Sequence, residues 1–94
     1  MELYVESYPL SINEKNEYFN FVEKMKAKET WKENIDFDNE YYKYIHVINF
    51  NKDLKLTELI NIKEFLSGND DILASWIKDE KQNELILFNK DQRF

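Results

Sequence analysis

The chain has 94 residues, 43% of them hydrophobic and 16% aromatic, and carries 13 Lys and Arg against 19 Asp and Glu for a net charge of −6. That length holds one domain, residues 1–94, and so many large apolar side chains at this charge speak for a folded chain over a disordered one. The absence of Cys removes disulfides, zinc–thiolate sites and a Cys nucleophile; the single Gly removes glycine-rich phosphate loops; no apolar run approaches the ~20 residues that span a bilayer.

Residues 2–8 alternate, with Leu3, Val5 and Ser7 on one side and Tyr4, Glu6 and Tyr8 on the other, which predicts a strand ended by Pro9. Ser11-Ile-Asn-Glu14 is a capping-box pattern, and Tyr18, Phe19, Phe21, Val22 and Met25 follow as an apolar helical stripe. Lys24, Lys26 and Lys28 suit the negative end of a helix that continues to about Thr30. Residues 41–50, rich in Tyr, Ile and Val, read as a strand in the middle of a sheet. Thr57 is placed to cap a second helix that presents Leu59, Ile62, Phe65 and Leu66 inward and stops at Gly68, where φ is usually positive. Residues 72–78 and 84–89 form two apolar runs around Asp79–Asn83, a hairpin pattern.

The order is βαβαββ. The first two strands, joined through a helix, are expected to be parallel and the last two antiparallel. The fold class is therefore α+β, with a mixed four-stranded sheet and two helices. With both helices on one face, the other would show some of Tyr4, Tyr8, Tyr42, Tyr44, Trp76 and Phe88, an aromatic surface of the kind that marks interfaces.

Residues for catalysis are few. His46, the only histidine, lies inside the strongest strand and reads as a half-buried structural residue with one hydrogen-bond partner. Asp36, Asp38 and Glu40 alternate, but an EF-hand frame puts Tyr41 where Gly and Val47 where Glu are required. Asp53-Leu-Lys55 with an upstream Asp echoes the acid-x-Lys set of magnesium nucleases, a short pattern in a chain too acidic for that role. Residues 43–50 have the aromatics of an RNA-recognition strand without its Gly, and the element order differs. The expectation is a non-enzyme without metal or cofactor. It has no direct nucleic-acid or membrane contact, and with no basic-then-apolar leader it is expected in the cytoplasm.

One segment stands apart. Glu33-Asn-Ile-Asp-Phe-Asp-Asn-Glu-Tyr-Tyr42 holds four acids and no base, two-thirds of the net charge in ten residues. Glu33, Asp36, Asp38 and Glu40 would attract a basic partner from a distance, and Phe37, Tyr41 and Tyr42 would anchor it. The 12 Lys, 11 Asn and 9 Ile against two Ala and one Arg mark an AT-rich genome, such as that of a low-GC bacterium or its phage. These features lead to a small acidic inhibitor: first, an immunity protein that neutralises a basic, nuclease-like toxin; second, a phage inhibitor whose acids mimic phosphates in a nucleic-acid-handling defence complex; third, a domain that buries its open face in a homo-oligomer.

Overall fold

A computed structural model describes the backbone of residues 1–25, 28–36 and 41–90, and the side chains of 1–25 and 43–90. Seven elements follow one another: β1 (Glu2–Ser7), α1 (Ile12–Lys24), β2 (Lys28–Asp36), β3 (Tyr41–Asn49), α2 (Leu56–Ser67), β4 (Ile72–Lys78) and β5 (Glu84–Asn89). The α+β class, the two helices and the βαβαββ sequence are as the residues predict, with β2 inserted. The sheet is five-stranded, in the order β2-β3-β1-β4-β5, and every pairing is antiparallel.

That replaces the expected mixed four-stranded sheet, and β2 is the reason. α1 stops at Lys24 instead of about Thr30. Lys28 to Asp36 then pairs along β3, from Lys28↔Asn49 to Asp36↔Tyr41. Thr30, Trp31 and Ile35 suit a strand, and a paired neighbour overrides helix propensity at a segment's end. β3 thus sits between β1 and β2, so the strands joined through α1 run in one direction without touching. β3 and β4 are joined through α2 across β1 in the same way. The first four strands and two helices make the split βαβ arrangement of ferredoxin-like domains, and β5 extends it by one strand.

The local chemistry explains the ends. The capping box at Ser11 forms in both directions: Glu14 N–H donates to Ser11 Oγ at 3.2 Å and Ser11 N–H donates to Glu14 Oε1 at 2.9 Å. α2 begins after Lys55, not Thr57; Glu58 accepts the Lys55 N–H at 3.1 Å. Gly68 keeps helical angles, φ −72° and ψ −12°, instead of a left-handed cap. The β4–β5 turn is wound around Asp79, whose carboxylate accepts from the N–H groups of Lys81 and Asn83, each at 2.9 Å, and these bonds hold its pKa below the usual carboxylate value.

Both helices lie on one face of the sheet. Leu3 and Val5 from β1, Ile48 from β3, and Ile72 and Ile77 from β4 form one buried cluster with Tyr18 and Val22 of α1 and Ile62 and Leu66 of α2. Phe19, expected in the apolar stripe, is 42% exposed, while Phe21 stacks on Phe65 with centroids 4.3 Å apart.

Candidate protein-binding surfaces

The acidic, aromatic segment is split by the fold. Glu33 and Asp36 lie in β2 at the edge of the sheet, and Tyr41 and Tyr42 begin β3. The register sets Asp36 against Tyr41, Ile35 against Tyr42 and Glu33 against Tyr44. Phe37, Asp38 and Glu40 lie outside the described residues. The segment is therefore not a simple connection from helix to central strand: its acids begin within an edge strand. The Asp53–Lys55 pattern is separated from Asp36. Asp36 pairs with Tyr41 at the start of β3, whereas Asp53–Lys55 follows its far end, beyond Asn49.

A second acidic surface is assembled by the fold and was not legible in the sequence. Glu14 and Glu17 of α1 face Asp70 and Asp71 of the α2–β4 connection across an open cleft of about 520 Å³, with Tyr18, Phe65 and Ile72 also lining it. Fifty-odd residues separate the two halves in sequence, and Glu14 carries a complete explanation as a capping residue. Hydrogen bonding with Glu14, then burial and the repulsion of Glu14 and Asp70, raise the pKa of Asp71 against the opposing pull of Lys90, whereas the Ser11 N–H holds Glu14 low. Two carboxyls that share a proton titrate as a unit. Among the described residues no three acidic or histidine side chains converge as a metal site, and Lys90, whose ammonium donates to the Asn69 carbonyl at 2.7 Å, offsets part of the negative charge at Asp71.

His46 is more deeply placed than the sequence predicts: it is fully buried, as is Ser7. Ser7 Oγ and His46 Nε2 are 3.0 Å apart, and the Tyr18 ring lies 4.9 Å from the imidazole. A Ser–His contact is the first half of a nucleophilic dyad. Here the hydroxyl lies beneath the sheet's helical face, where, among the described residues, a small cavity of about 90 Å³, also lined by Lys15 and Tyr44, approaches it. That space admits a few waters and no macromolecular substrate.

On the uncovered face, Tyr4 and Trp76 stack with centroids 5.4 Å apart and planes 5° from parallel. Lys78 Nζ lies 5.1 Å over the Tyr4 ring, and the Tyr4 hydroxyl donates to Glu2 at 3.0 Å. Burial and that carboxylate raise the tyrosine's pKa. Of the other aromatics expected here, Tyr44 pairs in register with fully buried Ser7 and Phe88 packs against the core, so both belong to the helical side; the Tyr42 side chain is not among those described. With β2 in place, the order of elements through β4 does match that of an RNA-recognition domain, correcting the expectation. The face carries Glu2, Glu6 and Glu84 beside Lys43 and Lys78, with Glu6 and Lys43 paired at 3.7 Å.

No helix of the described residues is long and apolar enough to cross a membrane. Comparison with protein-family models, with characterised proteins and with solved structures gives no match.

Proposed function

We propose that this chain is a small acidic inhibitor that binds a basic protein, and that it acts as a bacterial immunity protein against a nuclease-like toxin. The observation that carries the reading is the cleft. Glu14, Glu17, Asp70 and Asp71 line it together, and the neighbouring Glu14, through hydrogen bonding and repulsion, raises the pKa of Asp71. A Lys or Arg from a partner relieves that repulsion, and Phe65 at the rim, 39% exposed, supplies apolar contact. The acidic edge strand adds Glu33 and Asp36, with Phe37, Asp38, Glu40, Tyr41 and Tyr42 completing the interface proposed from the sequence. The burial of Ser7 and His46 supports a non-catalytic role, since a nucleophile must reach its substrate.

The test is co-expression with the product of the neighbouring gene in the source genome, followed by titration of the two purified proteins. The expected result is relief of growth arrest and binding that weakens as salt rises from ~0.1 M to ~1 M, where the screening length falls from ~10 Å to ~3 Å. Asp36→Lys/Asp38→Lys and Glu17→Lys/Asp70→Lys assign the interface to the edge strand or the cleft. Persistent arrest with no binding overturns the proposal. Binding indifferent to salt and to both double variants removes the acidic mechanism.

A further inference from the structure

We draw no further inference here: the strongest candidate, the small cavity of about 90 Å³ between the end of β1, the start of α1 and β3, carries nothing, because Ser7 and His46 in its wall are fully buried and hydrogen-bonded to each other and Lys15, which also lines it, is an exposed surface lysine.

Discussion

The two faces of this sheet are written by alternate residues of the same strands and are held together by different physics. Along β1, Leu3, Val5 and Ser7 are all fully buried, while Glu2, Tyr4 and Glu6 point to the other side and stay partly open. The covered face is closed by two helices around aliphatic side chains, with the Ser7–His46 contact and the Ser75 hydroxyl, which donates to the Tyr4 carbonyl at 2.8 Å, sealed in. The open face shields its own backbone: Tyr4 and Trp76 stack, Lys78 sits over the tyrosine ring, and Glu6 pairs with Lys43. Even so, Val47 and Ala74 between these groups are only 5% and 7% exposed. A sheet face can thus be nearly dry without a second layer when long side chains lie flat over it. The burial that stabilises the fold lies under the helices.

The comparison breaks most readily in the core. Ile48→Ala, at a fully buried position of β3, should cost about 2–5 kcal/mol in denaturant unfolding, the usual range for a truncated core side chain. Next comes the sealed polar contact. His46→Ala removes the partner of a buried Ser7 hydroxyl and should cost about 1–3 kcal/mol, and any catalytic assay should show no loss beyond that unfolding. A folded His46→Gln protein that loses a measurable turnover would contradict the structural role. On the open face, Trp76→Ala removes the stack and a partly buried ring, and the loss should be about 0.5–1.5 kcal/mol beyond the area term. If Trp76→Ala costs as much as Ile48→Ala, the faces are energetically equal and something covers the open one in solution.

Much of this was legible in the residues because the signals were local. The alternation of residues 2–8, the capping box at Ser11, and the turn around Asp79 each involve neighbours in sequence, and each formed as read. β2 was not legible because its residues are strand-like only in company: with charges at five of nine positions, its pairing depends on β3, which comes later in the chain. The parallel pairing of the first two expected strands followed from that omission, since the inserted β2 is what lets β3 lie antiparallel against β1. The residues alone leave to register which of the six aromatics reach the open face, and Tyr44, set against Ser7, and Phe88 turn to the helical side. Which face a strand residue takes is fixed by register, and the register shift between Ser75 and Trp76 on the β4–β5 pair alters the alternation on β5. The acidic cleft escaped notice because no spacing rule joins Glu14 and Glu17 to Asp70 and Asp71.

The smallest effect tests that cleft, at the rim of the covered face. Asp71 has a raised pKa because Glu14 hydrogen-bonds and repels it, so the folded chain binds its proton more tightly than the unfolded chain does. Stability therefore falls as pH rises from the ordinary aspartate range through the raised value, and the penalty persists at neutral pH. Glu14 has the opposite sign. Its pKa is lowered chiefly by the Ser11 N–H, so its contribution is present above the ordinary glutamate value and is lost as pH falls through the lowered one. Asp71→Asn removes the first effect and leaves the second, because an amide N–H can donate to the Glu14 carboxylate without a shared proton. The variant should match or exceed wild type at pH 7 by less than ~0.5 kcal/mol, as for other surface changes. It should also lose the decline in stability just above the carboxylate range, while keeping the acid-side loss. Thermal melts across pH 3 to 8 check both limbs. If Asp71→Asn is less stable at neutral pH and titrates as wild type does, the two carboxyls are not coupled, and the cleft is not the strained acidic surface that a basic partner would relieve.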